Sequence, residues 1–190
     1  MFQAEEDLLV IAAQSGNLKA FNFLIIKYQK PLLRFAYKLS NDHELANDAV
    51  QDSWIKLTNN LRQLKDPRAF KSWIYRRVKW RVTDLLRQKT RHRERIGEEL
   101  KDSCELVNKS STENDSELLV VINQLPPTEK QIIYLFYLDE MKLSEIAAIL
   151  DIPIGTVKSR LNRARNLLRQ IMVDNGVGVD PTPTPTVSLQ

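Results

Sequence analysis

Residues 144–171 constrain the fold most, because they carry two helical patterns separated by a turn. The apolar residues of the first pattern recur at the spacing of one buried helix face: Ile146, Ala147, Ile149 and Leu150. Ser144 is expected to cap this helix, and Asp151 tolerates the left-handed backbone that a tight turn requires. The stripe of the second pattern is Ile154, Val157, Leu161, Ala164, Leu168 and Ile171. This order predicts a helix-turn-helix, whose second helix enters the DNA major groove.

The second helix of this motif is basic. Between Ile154 and Gln170 the sequence contains no aspartate or glutamate. With the apolar stripe turned inward, the polar side chains on or near the solvent face are Lys158, Ser159, Asn162, Arg163, Arg165 and Asn166. An ordinary solvated basic helix is the alternative interpretation, but it does not explain why acids are missing where a recognition helix would lie. Nucleic acid is therefore the leading partner.

The remaining chain also predicts helices and no sheet. Gly16 and Asn17 are expected to end a first helix and start a second, which Pro31 should kink or divide. A third helix is expected over about 43–59 and a fourth over about 68–91. Further on, Pro126 and Pro127 stop a helix that begins near residue 117. Thr128 and Gln131 then predict a capping box for the next helix.

These elements predict an all-α fold of two small helical domains. The first spans residues 1–97, and the second, which contains the helix-turn-helix, spans 117–173. Residues 98–116 are low in apolar content and hold most of a run of seven acids between 98 and 117, so they predict a flexible acidic linker. Residues 174–190, rich in Pro and Gly, predict a disordered tail.

The fourth predicted helix mixes aromatic and basic residues. From residue 62 to residue 95 there are thirteen Lys or Arg residues against three acids, which concentrates the positive charge of a chain whose net charge is only +4. The residues that recur along one side are Trp73, Arg76, Trp80, Thr83 and Arg87. Aromatic rings stack on unpaired bases and cations neutralise phosphates, so this face favours single-stranded DNA. Trp80, between two cations, is expected to be exposed; for Trp73, a core position and a surface position are equally compatible with the pattern.

The third predicted helix has an acidic side, carrying Asp48, Gln51, Asp52 and Ile55 away from its apolar stripe. Carboxylates would repel DNA phosphate, so a protein partner is the natural use. Spacing alone leaves a plain solvated face equally open.

Four ordered segments carry a resemblance that bears on this choice. They are ELANDAVQDSWIKL, FKSWIYRRVKWRVTDLLRQ, LPPTEKQIIYLFYLDEMKLSEIAAIL and GTVKSRLNRAR. In this order they resemble an extracytoplasmic-function (ECF) sigma factor of bacterial RNA polymerase, and the resemblance runs from about Ala4 to Met172. It implies an alternative sigma factor that binds core polymerase and directs it to specific promoters.

The resemblance also implies a role for each surface. The third helix would dock on the clamp helices of the largest polymerase subunit through Asn47, Asp48, Gln51, Asp52 and Ile55. The loop at 59–69 would hold a flipped-out base, and the minus-10 contacts would be Asn60, Lys65, Arg76, Arg77, Trp80 and Arg87. The minus-35 element would be read by Lys158, Ser159, Asn162 and Arg163, with Arg165 on phosphate.

Family members often have an arginine near the position of Phe136, and this sequence lacks that arginine. An anti-sigma factor is an expected partner.

Other functional classes fit the sequence less well. A one-component helix-turn-helix regulator is the alternative, but its other domain would ordinarily bind a ligand or dimerise. Catalysis is not expected, because His43 and His92 lack ligand-like spacing; no metal site or cofactor is implied. The single cysteine, Cys104, favours a reducing cytoplasm, and no apolar run indicates membrane insertion.

Overall fold

The computed structural model describes residues 3–96 and 117–175, and within these ranges it contains helices and no strand. The helices are α1 (Gln3–Gln14), α2 (Leu18–Ser40), α3 (His43–Asn60), α4 (Phe70–Ile96), α5 (Glu117–Asn123), α6 (Pro127–Ile133), α7 (Leu143–Leu150) and α8 (Ile154–Asp174). The all-α prediction is confirmed. The predicted linker and nearly all of the predicted tail lie outside the described residues.

Local caps set the boundaries of the first three helices. Gly16 has φ +92, which ends α1, and the Asn17 side chain then accepts the backbone N–H groups of Lys19 and Ala20. Asp42 caps α3 in the same way by accepting from Leu45 N at 3.1 Å. Pro31 lies inside α2, but the helix continues through it to Ser40, so the expected division does not occur.

The N-terminal core forms where α2, α3 and α4 meet. Leu24, Leu32 and Ile74 are fully buried, and burial of such a side chain contributes about 1.5–3 kcal/mol. The rings of Tyr28 and Phe70 join α2 to α4 edge to face, with centroids 5.5 Å apart. Helix α3 also packs against α4, so the outer faces of both helices stay available.

The C-terminal helices form the predicted helix-turn-helix, with two corrections to the caps. Helix α7 begins at Leu143, one residue before Ser144, and its Glu145 carboxylate accepts the N–H of Lys142 at 2.7 Å. Thr128 makes no cap for α6, because the helix already starts at Pro127, whose fixed φ suits the first helical position. Asp151 has the expected left-handed backbone, with φ 60.

The inward stripe of α8 is shorter than predicted. Val157, Leu161 and Ala164 are buried, whereas Ile154 at the start of the helix is 46% exposed. Ile154 directly follows the turn, at the N-terminal end of α8, where the helix does not yet pack closely against α6 and α7. The remaining polar face of α8 is turned outward as expected.

The two groups of helices pack against each other, chiefly through α4 and α7. We call this contact the domain interface. Arg34 on α2 forms an ion pair of 2.6 Å with Asp139, and Lys71 on α4 donates to the Asp139 carbonyl at 2.8 Å. Lys79 also donates to the carbonyl of Leu150 at 3.1 Å. The separate domains of the sequence prediction thus share one continuous set of buried residues.

Candidate nucleic-acid and protein interfaces

The acidic side of α3 is largely accessible. Asn47, Asp48, Gln51 and Ile55 are exposed, and Ile55 retains 55% of its surface in water. Asp52 differs, because it is only partly exposed and its carboxylate pairs with Arg81 at 2.6 Å. Arg81 also pairs with Asp84 at 2.7 Å, so the guanidinium joins α3 to α4. Asp52 therefore has a structural partner, while Asp48 and Gln51 are the more accessible polar groups.

The outer face of α4 presents an exposed tryptophan between cations. Trp80 is 63% exposed, and Lys56 from α3 places its Nζ 5.8 Å from the centre of the Trp80 ring. Arg76 and Arg87 are exposed on the same side of the helix. Trp73 is half-buried and packs against the core, which resolves its ambiguous position.

Arg77 is the least accessible of the predicted minus-10 residues on α4. It is half-buried, and within the described part of the chain its Nε has no hydrogen-bond partner. A buried N–H without an acceptor is costly. The geometry is compatible with the predicted contact but leaves only part of the side chain accessible.

One edge of the α4 face is occupied by the helix-turn-helix. Arg76 Nη2 lies 3.2 Å from the Asp151 carboxylate in the turn. Lys79, one helical turn further along, is held at the Leu150 carbonyl, and burial lowers the pKa of its ammonium. Arg76 therefore has an anionic partner within the chain, whereas Trp80 is 63% exposed.

The predicted base-holding loop is ordered into two short 3₁₀ turns, at Leu61–Gln63 and Pro67–Ala69. Gln14, at the end of α1, holds the first of them, because its Nε2 donates to the carbonyls of Leu61 at 3.0 Å and Leu64 at 2.7 Å. Sequence reasoning missed Gln14.

Asn60 and Lys65, the two predicted contacts in this part of the chain, differ in accessibility. Asn60 is half-buried and closes α3 by donating to the Lys56 carbonyl at 3.0 Å. Lys65 is exposed. Of these two predicted contacts, the Lys65 ammonium is exposed, whereas the Asn60 amide is bonded to the end of α3.

The recognition helix α8 carries its predicted residues at the surface. Lys158, Ser159 and Asn162 are exposed near the N-terminal half of the helix. Arg163 is also exposed, but its Nε lies 3.4 Å from the carboxylate of Glu129, a buried residue of α6. Glu129 was not predicted from the sequence.

Arg165 is held by aromatic side chains instead of an acid. Its Nε donates to the Tyr137 hydroxyl at 2.8 Å, and its guanidinium lies 5.6 Å from the centre of the Phe136 ring and 5.7 Å from that of Tyr137. An arginine therefore occupies the surface around Phe136, although it comes from α8.

Within residues 3–96 and 117–175, no three His, Cys, Asp or Glu side chains lie together as a metal site would require. None of the helices described there combines the length and apolar character needed to cross a membrane.

Comparison with known proteins identifies the family. Residues 24–92 match the family described as Sigma-70 region 2, and residues 115–168 match Sigma-70, region 4. The ECF RNA polymerase sigma-E factor of Salmonella typhimurium is 31% identical over 179 residues, which cover 87% of this chain and 93% of that protein. The chain belongs to the ECF sigma factor family. This membership decides against the one-component regulator.

Other relatives of this sigma factor agree. The sigma-E factor of Haemophilus influenzae is 29% identical over 180 residues, covering 87% of this chain and 94% of that protein. A solved structure of the sigma factor RpoE from Bartonella quintana, in complex with the anti-sigma factor NepR, has the same fold. It has a TM-score of 0.66 at 23% identity and covers 82% of this chain and 98% of its own. Region 2 corresponds to most of α2 with α3 and α4, and region 4 to α5 through most of α8.

Proposed function

We propose that this ECF sigma factor binds core RNA polymerase through the acidic side of α3. The contact residues are Asn47, Asp48, Gln51, Asp52 and Ile55, and their target is the pair of clamp helices in the largest subunit. The support is an exposed apolar side chain, Ile55, beside exposed Asp48 and Gln51. Interfaces combine an apolar centre with polar groups that select the partner by charge. Asp52 contributes to polymerase binding and also keeps Arg81 in place through their ion pair.

In the proposed holoenzyme, α4 and the loop at residues 61–69 bind and open the minus-10 element. The observation that carries this assignment is Trp80, which is 63% exposed on a basic face. A stacked base adds about 1–3 kcal/mol, and Arg87 and Lys65 supply charge for the backbone. The proposed minus-10 contacts also include Asn60, Arg76 and Arg77. Contacts within the chain or partial burial restrict the accessibility of each of these side chains.

Helix α8 reads the minus-35 element in the major groove. Its polar N-terminal half offers Lys158, Ser159 and Asn162, and it offers Arg163, the next residue, for a base edge. Arg165, held over two aromatic rings, suits a phosphate. The recognition helix thus separates base reading from backbone binding around its circumference, because residues two apart point to different sides.

The same proposal includes an anti-sigma partner and a cytoplasmic location. The related Bartonella quintana protein was solved with such a partner. On this chain, an antagonist would have to cover the accessible side of α3 or the DNA-binding faces of α4 and α8. Polymerase and promoter DNA share the bacterial cytoplasm, which supports a cytoplasmic location for the sigma factor.

Capture by core polymerase tests the proposal. Replacing both Asp48 and Gln51 with Ala should abolish holoenzyme formation, because two exposed polar contacts are lost and no cavity is opened. The matched control replaces an exposed acid and an exposed amide elsewhere, Glu5 and Gln170, with Ala. Both variants should show wild-type helicity by circular dichroism. Wild-type capture of the Asp48 and Gln51 variant would contradict the assignment of α3.

A further inference from the structure

Glu129 is an unusual residue for its position in α6. Its side chain is 7% exposed, and with Glu6 and Ser53 it makes up the buried polar set of the described residues. Burial of an ionised carboxylate is unfavourable unless a cation or hydrogen-bond donors compensate it. The ion-pair partner of Glu129 is Arg163, whose Nε lies 3.4 Å from Oε1. The pair joins the first turn of α6 to the DNA-facing side of α8.

The geometry of the pair leaves the working edge of Arg163 accessible. The Arg163 side chain is 71% exposed although its Nε lies within ion-pair distance of the buried carboxylate. A guanidinium is a planar fork, so a carboxylate that attracts Nε restricts the plane in which the two terminal amino groups lie. Those groups form the edge that binds O6 and N7 of guanine in a bidentate contact. Glu129 is too deeply buried to meet the DNA itself.

Arg165, on the same helix, provides a comparison, because its Nε partner is a neutral hydroxyl and not a carboxylate. Its Nε is held by a neutral hydroxyl, that of Tyr137, and no carboxylate among the described residues forms an ion pair with it. An uncompensated guanidinium favours phosphate, while one paired with a buried carboxylate has a weaker pull toward the backbone. The two arginines thus have partners of different charge near Nε: a hydrogen-bonded hydroxyl for Arg165 and an ion-paired carboxylate for Arg163.

We propose that Glu129 is a positioning residue for minus-35 recognition, which anchors Nε of Arg163 and presents its terminal amino groups to one base pair. The proposal rests on the proposed function of α8. Because the side chain is ordered before DNA arrives, less conformational freedom is lost on binding, and the loss is smallest for the base that fits the preset plane. Glu129 then determines specificity without touching DNA.

The test measures base preference of the holoenzyme. Full-length protein with core polymerase is bound to promoter DNA in which the upstream element is randomised, and the preference at each base pair is compared between variants. Arg163→Ala should erase the preference at one or two positions. Glu129→Gln should reduce preference by about threefold to tenfold at those same positions, because the amide lacks the charge that fixes Arg163. In the double variant, Glu129→Gln should add nothing to Arg163→Ala.

Two further variants separate positioning from a structural role. Glu145→Gln is the matched control, since it also changes an acid to an amide in the same domain, where it caps α7. It should leave the preference profile unchanged. Glu129→Asp keeps the charge but withdraws the carboxylate, and it should weaken preference at the Arg163 positions while leaving thermal unfolding close to wild type.

The possible failures are distinguishable. If Arg163→Ala itself leaves every preference intact, the proposed function of α8 is wrong and the role of Glu129 is lost with it. If Arg163→Ala erases a preference that both Glu129 variants retain, only the positioning role is overturned. An even loss across all base pairs, or failure of both Glu129 variants to fold, would assign Glu129 to the domain core and also overturn it.

Discussion

Trp80 and Trp54 show how two tryptophans of one region can serve different ends. Trp80 is 63% exposed, whereas Trp54 on α3 is buried and donates from Nε1 to Gln29 at 2.8 Å. The buried ring supports the fold. The packing of the fold does not explain why a large apolar ring is exposed to water at position 80. The residue-scale prediction uses this contrast.

We expect Trp80→Ala to slow promoter opening while changing the free energy of unfolding by less than about 0.5 kcal/mol. Stacking is needed only after bases leave the duplex, so a pre-melted promoter should show a smaller defect than a duplex one. Permanganate reactivity of unpaired thymines measures opening on both templates. Trp54→Ala is the control and should cost about 3–5 kcal/mol of stability. An equal opening defect on both templates would contradict the stacking role of Trp80.

The sequence predicted exposed residues better than it predicted their supports. Trp80 and Arg163 could be placed because helical period alone assigns a side to each residue. Gln14 and Glu129 were missed because each acts on a partner that is distant along the chain: Leu61 and Leu64 for Gln14, Arg163 for Glu129. A glutamine or glutamate at a helix end has no local pattern that reveals such a contact.

At the scale of the element, helix starts were predictable where a side chain caps them. Asn17 and Asp42 are such cases. The starts of α6 and α7 were misplaced, because a proline and a backbone contact from Glu145 set them instead of the hydroxyl residues nearby. Several chemistries can satisfy the first N–H groups of a helix, so a good capping residue in the sequence does not prove its use.

Asp42 gives the element-scale prediction. Its pKa is held below its ordinary value, first by the Lys89 ammonium at 2.7 Å and then by the Leu45 N–H. We expect Asp42→Ala to cost about 0.5–2 kcal/mol through loss of the α3 cap, and Asp42→Asn to cost less, because the amide oxygen still accepts. Chemical denaturation measures both variants near neutral pH.

The pH dependence of this effect has a definite sign. Because the folded-state pKa of Asp42 is lowered, its charge stabilises the protein above the ordinary value of 3.8. That contribution should disappear as the pH falls through the lowered pKa. The difference between wild type and Asp42→Asn should therefore shrink with acidification. A constant difference would show that Lys89 and Asp42 are not coupled in solution.

At the scale of the whole molecule, the domain interface is the arrangement that sequence patterns did not predict. The helix-turn-helix and the aromatic basic helix were each recognised, but their packing depends on the fit of α7 against α4. Asp139 lies at this interface, facing Arg34 from α2 and Lys71 and Tyr75 from α4. Burial raises the pKa of Asp139 and outweighs the opposing effect of Arg34.

We expect Asp139→Asn to become relatively more stabilising as the pH rises. A raised pKa means that the folded protein holds the Asp139 proton more tightly than the unfolded chain does. Wild-type stability from this group is therefore present below the ordinary value of 3.8 and is lost as the pH rises through the raised pKa. Urea unfolding of both proteins across this interval measures the effect. A difference that moves the other way would mean that the Arg34 pair dominates over burial.

The ion pair between Arg76 and Asp151 bears on how promoter binding responds to salt. Both side chains are well exposed, so the pair itself adds little stability and is easily exchanged. When Arg76 moves to a phosphate, a cation leaves the DNA, but the pair with Asp151 must also break, and added salt weakens that pair. Arg87, with no such carboxylate among its described contacts, has no equivalent exchange. Two arginines on the same helix face would thus contribute unequally to the salt dependence of promoter binding, with the smaller contribution from Arg76.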